Sequence, residues 1–191
     1  MSTKEYGVVE GGVPSELVEQ VYKEFAGDLD WYFLDSIDSK TTSDTYFQFI
    51  HQIYNDKSGA ISKHANLIRQ FIPHFEKASG KKVVGVVRVK ANLLSRSNVI
   101  KKEEWAKTWH VDIHVPEHDM RKFMSVVYYV MDSDGDTVLF NKADTTKVLA
   151  KSSPKKGNFF WFDSSWMHSA SPPKKNKRRV IINFIFEVLP T

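Results

Sequence analysis

The residues best suited to chemistry lie in Trp109-His110-Val111-Asp112-Ile113-His114-Val115. In an extended chain successive side chains alternate faces, so His110 and Asp112 project the same way, an imidazole beside a carboxylate. One more imidazole would complete a facial set of two histidines and one carboxylate. That set leaves coordination positions open and suits non-haem Fe(II) and oxygen chemistry. A candidate is His168, 58 residues downstream, in the aromatic stretch Phe159-Phe160-Trp161-Phe162-Asp163-Ser164-Ser165-Trp166-Met167-His168. Beyond it, Lys177-Arg178-Arg179-Val180-Ile181-Ile182-Asn183-Phe184 reads as a strand that opens with arginines. An arginine ten or eleven residues past His168 could anchor a dicarboxylate co-substrate.

Strands folded back beside one another must position such a set, and the hydrophobic pattern predicts them. Residues 1–13 read as an extended lead-in. Leu17, Val18, Val21, Tyr22 and Phe25 mark one helical stripe, with Pro14 at its start and Gly27 just past its end. Residues 31–34 read as a strand, 40–45 as a polar loop, and 46–54 as strand or helix. A second helix carries Ile61, Ala65, Ile68, Ile72 and Phe75 on one face, and Pro73 should kink or split it. His51, His64 and His74 fall in this half and read as surface or core-edge residues.

After Gly80 the period changes to two. Strands are expected over 83–94, 109–115, 123–131, 137–141, 147–150, 157–162 and 179–189. The polar connection 95–108 is long enough for a functional loop, and a polar bend follows at 116–122. Asp132-Ser133-Asp134-Gly135-Asp136 is a hairpin signal, with Asp-Gly able to supply positive φ angles. Two helices followed by about eight short strands predict a mainly β chain with N-terminal helices. The architecture expected is a double-stranded β-helix, or jelly roll, with the helices packed on one sheet. A single domain would span 1–191, with helical support at 14–80 and the jelly-roll core at 83–189.

Composition agrees with an ordinary globular protein, 41% hydrophobic and 26% charged. The absence of cysteine excludes disulfides, thiolate zinc sites, iron–sulfur clusters and thiol nucleophiles. No signal peptide or long apolar run is evident, so the expected location is the cytoplasm. The net charge of +4 comes largely from Lys155-Lys156 and Lys174-Lys175-Asn176-Lys177-Arg178-Arg179. This modest excess suits acidic small molecules as readily as nucleic acid.

Taken together, Val86-Val87-Arg88-Val89-Lys90-Ala91-Asn92-Leu93, Trp109-His110-Val111-Asp112, Ser125-Val126-Val127-Tyr128-Tyr129-Val130, the run Phe162 to His168 and the run Lys177 to Phe184 resemble a known family. It is that of the Fe(II)/2-oxoglutarate-dependent oxygenases, in particular the prolyl-hydroxylase-like members that include small phage and bacterial proteins. The resemblance covers roughly residues 80–188. It implies that His110, Asp112 and His168 bind Fe(II) and that Arg179, with Arg178 as the alternative, pairs with the distal carboxylate of 2-oxoglutarate. Asn183 would share the face of Arg179. Many relatives carry Ser or Thr two residues after the arginine; here Ile181 stands there, and the Tyr129 hydroxyl could supply that second contact. Asn92 could reach the 1-carboxylate. His114 reads as a residue at the edge of the site, and Trp109, Trp161 and Trp166 as residues that shape and dry the barrel. An aspartate at 112, where related halogenases place a small residue, implies hydroxylation.

The activity implied is O2-dependent hydroxylation of a C–H bond in a peptidyl residue, proline included, or in a free amino acid or small metabolite, with release of succinate and CO2. Alternatives are a nucleic-acid-directed oxidative demethylase and a non-redox binding protein of cupin type. The demethylase is less favoured because no second arginine follows Asn183. A small-molecule or peptidyl partner, no membrane, and a monomer or homodimer complete the expectation.

Overall fold

Alternating side chains build the two sheets of the computed structural model, which describes residues 5–36, 47–97, 109–114 and 122–190. In chain order the elements are β1 (Tyr6–Val9), α1 (Ser15–Phe25), β2 (Tyr32–Leu34), β3 (Gln48–Asn55), β4 (Gly59–Ala60), a 3-10 turn (Lys63–Ala65), α2 (Asn66–Ser79) and β5 (Val83–Ser95). Then follow β6 (Lys122–Tyr129), β7 (Thr137–Phe140), β8 (Val148–Ser152), β9 (Phe159–Asp163), β10 (His168–Ala170) and β11 (Arg178–Val188). The larger sheet has the order β1-β9-β6-β11-β5-β3-β2, with β4 paired to β3; the smaller is β10-β7-β8. The loop at 40–45, most of the connection 95–108 and the bend at 116–121 lie outside the described residues.

β11 lies at the centre of the larger sheet, paired antiparallel to β5 and β6, and its near-continuous apolar run reflects cover on both faces. Val180, Ile182, Phe184 and Phe186 join the core beneath the helices, with Phe71 and Phe75 of α2 packed on them. The Phe71 ring lies 5.0 Å from Phe184 and the Phe75 ring 5.4 Å from Phe186, centroid to centroid. Burying each such side chain contributes about 1.5–3 kcal/mol. The intervening residues Arg179, Ile181, Asn183 and Ile185 face the smaller sheet, which makes that face the place for a polar site.

Three expectations need correction. α2 runs through Pro73 as one helix, so the proline does not split it. Pro73 lies on the exposed face, where water can meet the carbonyl that loses its amide partner, while Phe71 and Phe75 hold the buried face. The stretch 132–136 closes no hairpin, because β6 and β7 belong to different sheets. Gly135 has no positive φ. Asp134 instead accepts the backbone N–H groups of Lys174, Lys175 and Asn176 at 2.9–3.0 Å, so the turn is pinned to the segment before β11. Third, His168 does not end the aromatic strand: β9 stops at Asp163, and His168 opens β10 in the other sheet. Among the described residues no helix is long and apolar enough to cross a membrane.

Candidate metal and co-substrate site

The stretch around His110 forms no full strand. His110 makes one isolated antiparallel bridge to His168, its N–H donating to His168 O at 3.1 Å and its carbonyl oxygen accepting from the His168 N–H at 3.0 Å. The chain then bends, and the Asp112 N–H donates to Ser164 O at 3.2 Å. These few bonds suffice to set the two imidazoles 4.3 Å apart between centroids. One ligand atom each from His110, Asp112 and His168 falls within 4.8 Å of the others. His114 is exposed and outside this cluster. Trp109 packs on Phe140, ring centroids 4.7 Å apart, and Trp161 lies in the helix-side core, so only part of the expected tryptophan lining borders the site.

The protonation state of the cluster follows from its surroundings. Burial pushes His168 down to about 4, His110 adds to this, and Asp112 opposes it. His168 is therefore neutral at neutral pH. Its Nδ1–H donates to Trp166 O at 3.0 Å, which leaves the Nε2 lone pair facing outward. Burial disfavours the Asp112 charge, yet His168, His110, Arg88 and the Ser125 hydroxyl together hold the carboxyl well below the usual range. The His168 Nε2 lone pair thus meets an ionised Asp112 Oδ2 at 3.5 Å. Two acceptors at that separation in a buried site call for a cation between them, and nitrogen and carboxylate donors suit Fe(II).

Asp112 is also held from behind. Its side chain is 2% exposed and accepts from Arg88 Nη2 at 3.0 Å, Ser125 Oγ at 2.6 Å and Asn183 Nδ2 at 3.2 Å. Register explains the convergence: Ile185 pairs with both Arg88 and Ser125, and Asn183 sits one inward position before it on β11.

Arg179 is 2% exposed. Its Nε donates to Gly135 O at 2.7 Å and its Nη2 to Thr137 Oγ1 at 2.6 Å. Both partners are neutral. Asp136 lies near but is paired with Lys151 at 2.7 Å, and among the described residues no carboxylate is within ion-pair distance of Arg179. Burial disfavours this guanidinium charge, so the site is suited to an incoming dicarboxylate. Arg178 points the other way, toward Ala26 O. Tyr129, expected to support the co-substrate, is fully buried, with its hydroxyl 3.1 Å from Thr137 Oγ1 and 3.2 Å from Ser152 O. Thr137, not Tyr129, borders the cleft that His110, His168, Asn92 and Asn183 also line. Thr137, whose oxygen accepts from Arg179, thus stands at the cleft beside the arginine where relatives use Ser or Thr at the position of Ile181. Asn92 turns its amide nitrogen to Gln48 Oε1 at 2.6 Å.

A family model described as the 2OG-Fe(II) oxygenase superfamily matches residues 99–187, the stretch that contains all three candidate ligands and Arg179. Over that stretch the chain is similar to this superfamily. Its cofactors are Fe(II) and the co-substrate 2-oxoglutarate, used with O2. No curated protein matches the oxygenase significantly. Solved structures share its fold at low identity. A 2OG-Fe(II) oxygenase family oxidoreductase from Burkholderia pseudomallei has a TM-score of 0.67 at 14% identity, over 95% of this chain and 85% of that one. A prolyl-4-hydroxylase from Pseudomonas putida has a TM-score of 0.59 at 14% identity, over 97% and 94%. HygX from Streptomyces hygroscopicus, with nickel and 2-oxoglutarate bound, has a TM-score of 0.57 at 12% identity, over 97% and 83%.

Sequence reasoning missed Arg88, Ser125 and Thr137 as parts of the oxygenase site. Arg88 carried a usable signal, a charge inside the apolar run Val86-Val87-Arg88-Val89. Ser125 and Thr137 carried none, because only long-range pairing brings them to Asp112 and Arg179.

Proposed function

We propose that this oxygenase, as one domain spanning 1–191, hydroxylates a C–H bond of a free amino acid, a similar small metabolite or a peptidyl residue. The observation that carries this reading is the neutral His168 Nε2 turned toward the ionised Asp112 Oδ2 at 3.5 Å, beside His110. When bound, Fe(II), 2-oxoglutarate and O2 supply the oxidation, giving succinate and CO2 with insertion of one oxygen atom into the substrate. The chain's own part is geometric. His110, Asp112 and His168 hold the metal on one side and leave the rest of its surroundings to the co-substrate, O2 and the substrate. Arg179 and Thr137 orient the distal carboxylate of 2-oxoglutarate. Trp166, Phe160 and Phe162, buried between the sheets, exclude water from the closed end.

The test is anaerobic addition of Fe(II) and 2-oxoglutarate, followed through the weak metal-to-ligand charge-transfer band in the visible range. The band is expected with the wild-type protein and should be lost or weakened in His110→Ala and Arg179→Ala. A folded protein that gives no band would overturn the assignment in favour of a non-redox binding protein.

A further inference from the structure

We propose that the primary substrate is a small, free amino-acid-like molecule, whose N–H or O–H donors meet Asn92 and Asn183 and whose acid group meets Lys90. This rests on the oxygenase reading and narrows it, because a residue inside a peptide has neither a free α-amino nor a free α-carboxyl group.

Two amide side chains at the cleft have forced orientations. Asn183 Nδ2 lies 3.2 Å and 3.3 Å from the two oxygens of Asp112. An ionised carboxylate only accepts, so the amide nitrogen must face it and Asn183 Oδ1 must point away. A second chain of bonds settles Asn92. Gln48 Nε2 donates to Ser36 O at 3.3 Å, which makes Gln48 Oε1 an acceptor, and Asn92 Nδ2 donates to it at 2.6 Å. Asn92 Oδ1 is left over. Both leftover carbonyl oxygens are buried and without a hydrogen-bond partner among the described residues.

The two asparagines line the same cleft as His110, His168 and Arg179. Sheet register makes them neighbours: Asn92 stands opposite Ile181, and Lys90, two residues before Asn92, stands opposite Asn183. Neither 2-oxoglutarate nor succinate carries a donor at neutral pH, so neither can satisfy these acceptors. An unmet buried acceptor is costly, and a substrate bearing an ammonium or hydroxyl group removes that cost. Lys90 lines the cleft as well. A cation in such a place favours an anionic group on the same substrate. Donors and an acid on one small molecule describe an amino acid.

The test titrates the anaerobic Fe(II)/2-oxoglutarate holoprotein with each proteinogenic L-amino acid, reading heat by calorimetry and the shift of the charge-transfer band. Every binder is repeated as its C-terminal amide and its N-acetyl form. At least one free acid should bind, and either block should weaken it by about tenfold or more, as loss of a charge-assisted bond implies. Lys90→Met should weaken the free acid about as much, leave the amide unchanged and leave 2-oxoglutarate binding as in the wild type. The proposal is overturned if blocked and free forms bind alike, if Lys90→Met leaves the acid unaffected, or if no amino acid binds while 2-oxoglutarate does. Failure of 2-oxoglutarate to bind the wild type would overturn the oxygenase reading itself, and this proposal with it.

Discussion

Arg88 Nη2 donates to Asp112 Oδ1 across 3.0 Å, while the other carboxylate oxygen, Oδ2, lies 3.5 Å from His168 Nε2. The carboxylate therefore has one oxygen engaged by an arginine and one turned toward the histidine. A metal between Asp112 and His168 would meet Oδ2, and Arg88 disfavours chelation by both oxygens. One-point binding keeps a coordination position open for the reactants.

Arg88 also compensates the buried charge of Asp112 when no metal does. Replacing it in Arg88→Met should lower the stability of the metal-free protein by about 1–2 kcal/mol, a discounted figure because the arginine side chain is 31% exposed. Metal then has more to offset, so the rise in melting temperature on adding Mn(II) or Fe(II) should be larger in the variant than in the wild type. Equal or smaller metal-induced shifts, measured side by side, would rule this role out.

Arg179 should behave in the opposite sense. Its buried guanidinium has no carboxylate partner among the described residues, so Arg179→Met should leave the apo protein as stable as the wild type or more so. Affinity for 2-oxoglutarate should fall by about 100-fold, the equivalent of two charge-assisted hydrogen bonds. Thr137→Val should cost about tenfold. Calorimetric titration with 2-oxoglutarate checks both, and a full-affinity Arg179→Met protein would remove the arginine from the site.

Gly135 leaves no room for a side chain. A Cβ placed there would lie 2.4 Å from Ser171 O and 3.0 Å from Arg179 Cδ. Gly135→Ala must therefore displace the backbone or the arginine, and it should weaken 2-oxoglutarate binding at least as much as Thr137→Val. Unchanged affinity in a folded variant would show that the arginine tolerates the shift.

Asp134 gives a pH prediction. Burial alone would raise its pKa, but the backbone N–H groups of Asn176, Lys175 and Lys174 hold the carboxyl below its ordinary value. A depressed native pKa means stability that is present above the unfolded value, near 3.8, and lost as pH falls through the native one. Asp134→Ala should lower stability at neutral pH by about 1 kcal/mol, comparable to loss of a capping side chain. Denaturation curves should show that gap closing below about pH 4, in the ordinary aspartate range. A pH-independent gap would contradict the assigned role.

The candidate site could be outlined from the sequence because its residue types are chemically committed. His110 and Asp112 at alternate positions, a late histidine and a buried arginine have few other common uses together. The helices were legible from their stripes, and most strands from their alternation. What could not be read was pairing across distance. Asp134-Gly135 has the composition of a hairpin turn, yet Asp134 caps a segment forty residues away and Gly135 makes room for Arg179. The stretch 109–115 alternates like a strand but has only a bridge to His168 and contacts to Ser164 to hold it. Arg88 and Ser125 become partners of Asp112 only once β5, β11 and β6 are in register.

The neighbouring arginines at the start of β11 have a consequence for how correct assembly can be judged. A slip of one residue reverses every side chain of a strand. Slipped that way, β11 would still present an arginine to the cleft, Arg178 in place of Arg179, but an isoleucine, Ile182, would replace Asn183 beneath Asp112. Such a misregistered chain would retain an attraction for dicarboxylates while losing part of the support of its metal carboxylate. Co-substrate affinity is therefore a permissive criterion for refolded protein, and metal loading a stringent one.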